Sequence, residues 1–141
     1  MPYPEEMIGP MRAELVDAGF EELRTAADVD AFVARPGASL IVINSMCGCA
    51  AGSARPGIRL ALEHEARPEH LGTAFAGNDL EAVAQIRTLV PDVPPSSPSA
   101  ALFRDGKLVG FVPRHVFEGG NPDNVRDHLI EKFEALVAKG A

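Results

Sequence analysis

Cys47 and Cys49 are the only cysteines in the sequence, and a single glycine, Gly48, separates them. Thiols at this spacing can form a disulfide, pass one to another protein, or supply two ligands to a metal ion. A disulfide between them needs a narrow range of backbone conformations, because its two Cα atoms must lie roughly 4.4–6.8 Å apart. Since a constrained and exposed bridge is easily reduced, the spacing favours a dithiol that cycles over a permanent cross-link.

The cysteine pair lies between a predicted strand and a predicted helix. An unbroken apolar run, residues 40–43, lies in the predicted strand 39–44 that precedes it and is typical of a fully buried strand, and residues 50–65 follow with the composition of a helix. The first turn of a helix has unpaired N–H groups and partial positive charge, which lower the pKa of a cysteine there. We therefore expect Cys47, which is nearer the strand, to be the attacking thiolate.

Hydrophobic spacing, caps and turn residues predict the other elements. Thr25 and Asp28 have the pattern of a capping box, Asp105-Gly106 predicts a hairpin, and Asn121-Pro122 starts the last helix. Strands separated by helices form parallel units, so we expect an α/β protein with a mostly parallel central sheet and helices on both faces. The predicted elements are helix 4–18, strand 20–23, a helix from Thr25 to Pro36-Gly37, strand 39–44, helix 50–65, strand 71–76, a helix capped by Asn78, a hairpin of 100–103 and 108–112, and a helix from Asn121.

Several of these helices, the first and last among them, have apolar residues at helical spacing, which predicts a buried face on each. The predicted buried residues are Met7, Met11 and Leu15 in the first helix and Val125, Leu129, Phe133 and Val137 in the last.

Length and charge exclude several classes of protein. The 141 residues predict one domain, 1–141, and no apolar run approaches the roughly 20 residues of a membrane span. The net charge of −7 argues against nucleic-acid or membrane partners. The N-terminus has neither a basic start nor an apolar signal core, so we expect a cytoplasmic protein, where a cysteine pair is more often catalytic or metal-binding than structural.

Longer stretches around the cysteines resemble a known family. Residues 42–52, Val-Ile-Asn-Ser-Met-Cys-Gly-Cys-Ala-Ala-Gly, with Ala54-Arg55-Pro56 soon after, resemble the bacilliredoxins. Matches at 10–15, 19–23, 96–99 and 112–115 extend the resemblance over nearly the whole chain. Bacilliredoxins are bacterial proteins with a thioredoxin-like fold, which implies a central mixed, mostly parallel sheet here. The sequence departs from thioredoxins by having Cys-x-Cys in place of Cys-x-x-Cys.

The resemblance implies a thiol–disulfide oxidoreductase, with disulfide isomerase activity, that removes bacillithiol or a similar small thiol from mixed disulfides on proteins. Cys47 would be the nucleophile and Cys49 its resolving thiol. Gly48, Ser97 and Pro98 would contact the substrate, with Ser97–Pro98 as a cis-proline bond facing the cysteines. The resemblance implies no cofactor beyond the dithiol and its small-thiol co-substrate, and a monomer or weak homodimer.

Two alternatives stay open from the residues. The chain could be a non-catalytic binding or scaffold domain that keeps the fold, or a metal-binding protein using Cys47 and Cys49. None of the four histidines is at ligand spacing from a cysteine or from another histidine, so no metal ligand is predicted.

Three polar residues near the pair are given structural roles. Asn44 and Ser45 are predicted to make local hydrogen bonds. Arg55 lies about two helical turns beyond Cys47, too far for direct pairing, and is predicted to be on a solvated face or in an ion pair. Pro56 is predicted to bend the helix.

Overall fold

The structure is a computed structural model that describes residues 2–118 and 121–138. These residues form a five-stranded sheet, six α-helices and one π-helical turn. The strands are β1 (Glu21–Glu22), β2 (Ala38–Asn44), β3 (His70–Phe75), β4 (Ser99–Arg104) and β5 (Lys107–Val112). The helices are α1 (Glu5–Val16), α2 (Ala26–Val33), α3 (Arg55–Ala61), α4 (Leu80–Thr88), α5 (Arg114–Glu118) and α6 (Pro122–Ala138), and the π-helical turn (Ala50–Ala54) precedes α3.

The strand order in the sheet is β1-β3-β2-β4-β5, which places β2 at the centre. β1 and β2 are parallel to β3, whereas β4 is antiparallel to both β2 and β5. Four of the five strands therefore run in one direction. This is the predicted mixed sheet, with the hairpin of β4 and β5 at one edge.

Strand β2 separates two apolar clusters, because its side chains point alternately to the two faces of the sheet. Leu40 and Val42 belong to a cluster with α1, α3 and α6, whereas Ile41 and Ile43 belong to one with α2 and α4. All seven residues of β2 are buried, as the unbroken apolar run predicted. Helices therefore cover both faces of the strand that carries the cysteine turn.

The strongest local signals are confirmed. Thr25 Oγ1 accepts the N–H of Asp28 at 3.0 Å, and an Asp28 carboxylate oxygen accepts the N–H of Thr25 at 3.2 Å. At the hairpin, Asp105 has a φ of 50° and Gly106 a φ of 83°, as a tight two-residue turn requires. Asn121 caps α6 by accepting the N–H three residues on at 2.9 Å.

The predicted buried face of α1 is wrong at Met7, which is 49% exposed. The buried residues of this helix are Ile8, Arg12 and Leu15, and Met11 is half-buried. Arg12 is buried because its guanidinium pairs with carboxylates, and this pairing sets the rotation of the helix about its axis. Arg12 lies at helical spacing from Ile8 and Leu15, but its buried partner, Asp79, is 67 residues away in the sequence.

Two further predictions are wrong at single positions. Val137 in α6 is 41% exposed, since the chain places Leu136 against the core. Asn78 does not cap α4, because the N-cap position is Asp79. Asn78 instead donates from Nδ2 to the Tyr3 carbonyl at 2.8 Å and accepts the Tyr3 N–H at 2.9 Å, which joins the N-terminal segment to the end of β3.

Candidate active site

The two cysteines are joined by a disulfide at the strand-to-helix turn that the sequence predicted. Their Cα atoms are 5.5 Å apart, within the usual range for a disulfide. Both residues are half-buried, and Gly48 between them is exposed. The carbonyl of Cys47 accepts the N–H groups of Ala50 at 3.0 Å and Ala51 at 3.3 Å, so the helical hydrogen bonding begins at this cysteine.

Asn44 and Ser45 make the local hydrogen bonds that the sequence predicted. Asn44 Oδ1 accepts the N–H of Ser45 at 2.8 Å, and Ser45 Oγ accepts the N–H of Cys47 at 3.2 Å. Asn44 Nδ2 also donates to the Met11 carbonyl of α1 at 3.2 Å. These bonds fix the backbone between the end of β2 and the first cysteine.

Arg55 is buried against this turn, with only 2% of its surface exposed. Its Nη1 donates to Asn44 Oδ1 at 3.1 Å and to the Ser45 carbonyl at 2.7 Å. Its Nε donates to Glu14 Oε2 at 2.7 Å. The predicted ion pair is therefore confirmed, whereas a solvated face for Arg55 is wrong.

A π-helical turn explains where Arg55 points. The N–H of Arg55 bonds to the carbonyl of Ala50, five residues back, in place of the four-residue spacing of an α-helix. Pro56 follows directly and has no N–H to continue a regular ladder. The wider turn takes up one extra residue, which rotates the residues after it by about 100° around the axis. The structure thus has a π-turn directly before Pro56, and the bend predicted at Pro56 stays a prediction. The helix ends at Ala61 rather than at residue 65.

Helix α5, which the sequence did not predict, lies against the π-turn. Ser53 Oγ is within hydrogen-bonding reach of the Cys49 carbonyl, at 3.0 Å, and of the Phe117 carbonyl. Phe117 is fully buried, whereas Arg114 is exposed and pairs with Glu118 at 2.9 Å. The hydroxyl of Ser53 therefore links the backbone at the second cysteine to α5.

The loop before β4 approaches the same end of the sheet. Ser99 pairs with Ile43, so the preceding Pro98 lies beside the end of β2, from which the cysteine turn continues. Pro98 is buried, Ser97 is half-buried, and the bond between them is cis, as the resemblance implied. The substrate contacts assigned to Gly48, Ser97 and Pro98 stay predictions.

Within residues 2–118 and 121–138, no group of three or more His, Cys, Asp or Glu side chains is arranged to hold a metal ion. His64 pairs with Glu134 at 3.1 Å, and His70 is 3.1 Å from the Pro36 carbonyl. None of the helices described in this chain combines the length and apolar character that crossing a bilayer requires.

Sequence reasoning missed the contacts of Glu14 and Ser53, and it missed the burial of Arg55 and its hydrogen bonds to the turn before Cys47. One signal was available for Arg55: it falls within the apolar stripe that includes Ala54, Ile58 and Ala61, all of which are buried. A charged residue inside such a stripe indicates a buried ion pair or hydrogen-bond network. No comparable signal marked Glu14 or Ser53.

Comparison with known proteins identifies the family. The profile of the disulphide isomerase family matches residues 3–137. A bacilliredoxin of Cytophaga hutchinsonii is 54% identical over 134 residues, which cover 95% of this chain and 99% of that protein. Bacilliredoxins of Geobacillus kaustophilus and Salinibacter ruber are each 49% identical, with 96% of this chain covered in both cases and 90% and 81% of the relatives.

Solved structures identify the fold. A thioredoxin of Malassezia sympodialis superposes with a TM-score of 0.59 at 12% identity, covering 84% of this chain and 90% of that one. The oxidised mitochondrial thioredoxin 3 of Saccharomyces cerevisiae gives 0.57 at 15% identity, covering 83% and 95%. The fold is therefore that of thioredoxin. With its two cysteines at a strand-to-helix turn, the chain is a thiol–disulfide oxidoreductase that belongs to the bacilliredoxin family.

Proposed function

We propose that this protein removes a low-molecular-weight thiol of the bacillithiol type from mixed disulfides with protein cysteines. Cys47 is the nucleophile and Cys49 the resolving thiol. The observation that carries the proposal is the bonded cysteine pair at the first turn of a helix, with exposed Gly48 between the two residues. Both thiols must be reduced for the reaction to start, which supports a reducing compartment such as the cytoplasm as the proposed location.

The first step is attack by the Cys47 thiolate on the small-thiol sulfur of a mixed disulfide. A bond forms between Cys47 Sγ and that sulfur, and the bond to the client cysteine breaks. The client sulfur leaves with the electron pair and takes a proton from solvent. The unpaired N–H groups and partial positive charge of the first helical turn favour the attacking thiolate.

The second step is resolution by Cys49. Its thiolate, after losing a proton to solvent, attacks Cys47 Sγ, and the small thiol leaves with the electron pair and is protonated. The dithiol has then given two electrons to the mixed disulfide and has become the Cys47–Cys49 bridge. Two molecules of the small thiol restore the dithiol and become a symmetric disulfide. The separation of the two Cα atoms, 5.5 Å, supports direct resolution by the neighbouring cysteine.

The surface beside the bridge leaves room for a protein substrate. Gly48, Ala51 and Gly52 are exposed, and a Cβ added at Gly48 or Gly52 would meet no atom within 4 Å. A substrate disulfide needs such access because the attacking sulfur must reach it in line with the breaking bond. On the other side of the site, the backbone of Ser97 and Pro98 is the proposed contact for an extended segment of the client.

Disulfide isomerisation is a second candidate, favoured by the family whose profile matches the chain. In this reaction Cys47 attacks a protein disulfide, and another cysteine of the client attacks the adduct before Cys49 does. The client is released with a different pairing and no net gain or loss of electrons. The same nucleophile serves both reactions, and they differ in which thiol releases it.

The experiment uses a client protein that carries one cysteine in a mixed disulfide with bacillithiol. Cys49→Ala is expected to accumulate a mass adduct on Cys47, the single remaining thiol, while releasing the reduced client. The matched variant Cys47→Ala is expected to give neither. Release of the client without bacillithiol transfer, or an adduct confined to Cys49, would overturn the assignment of roles. Absence of any adduct would favour the scaffold alternative, and zinc retained through purification would favour the metal-binding one.

A further inference from the structure

We propose that Arg55 is a positioning residue for the reaction at the cysteine pair. Its guanidinium holds the turn at Asn44 and Ser45 in the conformation that presents Cys47, and its charge, partly balanced by Glu14, favours the Cys47 thiolate. The inference rests on the proposed function, because it assigns Arg55 a role in preparing the proposed nucleophile.

The burial and contacts of Arg55 are those of a residue that organises its surroundings. It is the largest of the fully buried side chains, and its three hydrogen bonds are directed to three different residues. A planar guanidinium with donors in a fixed fork constrains all of its acceptors at once. Two of these acceptors, the side-chain oxygen Asn44 Oδ1 and the backbone carbonyl of Ser45, belong to the turn before the first cysteine.

A continuous path of hydrogen bonds leads from Arg55 to the backbone of Cys47. Arg55 Nη1 and the N–H of Ser45 donate to the same oxygen, Asn44 Oδ1. Ser45 Oγ in turn accepts the N–H of Cys47. Loss of the guanidinium would therefore remove the hydrogen bond to the Ser45 carbonyl. It would also remove one of the two donors to Asn44 Oδ1.

The charge of Arg55 acts on the same segment. Among the described residues, it is the one cation that hydrogen-bonds to residues 44–49. A positive charge held in a poorly hydrated site favours a nearby anion over the neutral thiol. Glu14 opposes this effect because its carboxylate pairs with the guanidinium at 2.7 Å.

Charged groups on α5 and α6, which both pack against the π-turn, contribute less. On α6, Arg126 pairs with exposed Asp123 and Asp127, and burial holds the pKa of His128 below its ordinary value, so that ring is largely neutral at neutral pH. On α5, Arg114 and Glu118 are exposed and paired with each other at 2.9 Å, and His115 is exposed. Solvent screens such groups strongly. The pairing of Arg55 with Glu14 is therefore the electrostatic feature that should control how readily Cys47 ionises. Removing the charge of Arg55 and removing the charge of Glu14 should shift the pKa of Cys47 in opposite directions.

The experiment measures how readily Cys47 ionises. In the Cys49→Ala background Cys47 is the single thiol, so its pKa is read from thiolate ultraviolet absorbance against pH and from the rate of alkylation by iodoacetamide. Arg55→Met is expected to raise the pKa by about one unit and to slow alkylation at neutral pH by about tenfold. Glu14→Gln is expected to lower the pKa, because the guanidinium loses its counter-charge but keeps an acceptor.

Two further variants separate charge from shape. Arg55→Lys keeps the charge and loses the fork, so it should give a pKa between those of the parent and Arg55→Met. Arg59→Gln is the matched control, since Arg59 is exposed on the same helix one turn further along and makes no described hydrogen bond to the turn. It should leave the pKa unchanged. Thermal unfolding of each variant reports whether it is folded.

A purely structural role for Arg55 predicts lower stability with an unchanged pKa of Cys47, or shifts of the same sign for Arg55→Met and Glu14→Gln. Either result overturns the inference. If Arg55→Met does not fold, Glu14→Gln decides: a lowered pKa supports the inference, and an unchanged or raised one overturns it. Failure of the proposed function is distinct, because Cys49→Ala with Arg55 intact would then form no adduct with the mixed disulfide, whatever the pKa of Cys47.

Discussion

Arg12 and Asp79 form a two-pronged ion pair inside the protein, with Nη1 and Nη2 each 2.8 Å from one carboxylate oxygen. Their side chains are 8% and 4% exposed. The guanidinium also lies over the ring of Phe75, 5.4 Å from its centroid, and the carboxylate accepts the N–H of Phe75 at 2.9 Å. The pair thereby joins α1 to the end of β3 and the start of α4.

Asp79→Asn is expected to destabilise the fold by about 2 kcal/mol, because it removes the buried carboxylate of Arg12's ion pair and leaves only the more exposed Glu5 and Glu22 as counter-charges. Urea unfolding at neutral pH measures the change. Asp92→Asn is the control, since Asp92 is exposed in the loop between α4 and β4 and makes no described hydrogen bond. Equal stability of the two variants would show that the pair adds nothing to folding.

The same pair makes stability depend on pH. Burial raises the pKa of the Asp79 carboxyl, but hydrogen bonds from Arg12 and a backbone N–H outweigh it, and the pKa is lowered from its ordinary 3.8. A carboxylate with a lowered folded-state pKa adds stability above its unfolded pKa, and this stability is lost as the pH falls through the folded value. We therefore expect the urea concentration at the unfolding midpoint to decrease as the pH is lowered below about 4. The decrease should be smaller in Asp79→Asn. Parallel pH profiles for the two proteins would contradict the assignment.

Gly57→Ala should weaken the packing of α3 on α6. An added Cβ would lie 2.5 Å from Val125 Cβ and 2.9 Å from the Pro122 carbonyl oxygen. Overpacking of this kind outweighs the better helix propensity of alanine, for a net loss of about 1–2 kcal/mol. Gly52→Ala is the matched variant, since nothing lies within 4 Å of a Cβ there, and it should be neutral or slightly stabilising. Thermal unfolding compares the two, and an equal effect would contradict the overlap.

Gly48→Ala should separate folding from substrate access. The position is exposed and open, so the variant is expected to unfold at the same temperature as the parent. A methyl group between the two cysteines should slow attack on a protein mixed disulfide by roughly tenfold, because the bulky client must approach closely. The rate with a free small-molecule disulfide should change little. Equal slowing of both substrates would point to a change in the thiols themselves.

Features fixed by neighbouring residues could be predicted from the sequence. The capping box of Thr25 and Asp28 involves residues three apart, and the hairpin turn depends on Asp105-Gly106 alone. The position of the cysteine pair followed from an apolar run and a helix-forming segment on either side. Each of these arrangements is determined within a few residues, where propensity and steric limits act directly.

Features that depend on distant partners could not be predicted. Arg55 is buried because Glu14 is available 41 residues earlier, and Arg12 because Asp79 is available 67 residues later. The spacing of apolar residues within α1 therefore predicted a buried Met7, whereas the pairing of Arg12 turns Met7 towards solvent. Helix α5 has five residues, too few to show a hydrophobic period. The π-turn was missed because Pro56 indicated a distortion but not its form.

The position of the cysteine turn at the end of β2 has a consequence for the reduced protein. This strand is flanked by β3 and β4, and all of its residues are buried. Its amides should exchange with deuterium only through global unfolding, whether the sulfurs are joined or apart. Faster exchange on reduction would then be confined to the few residues around Gly48. The central sheet would keep the same structure through a cycle of oxidation and reduction.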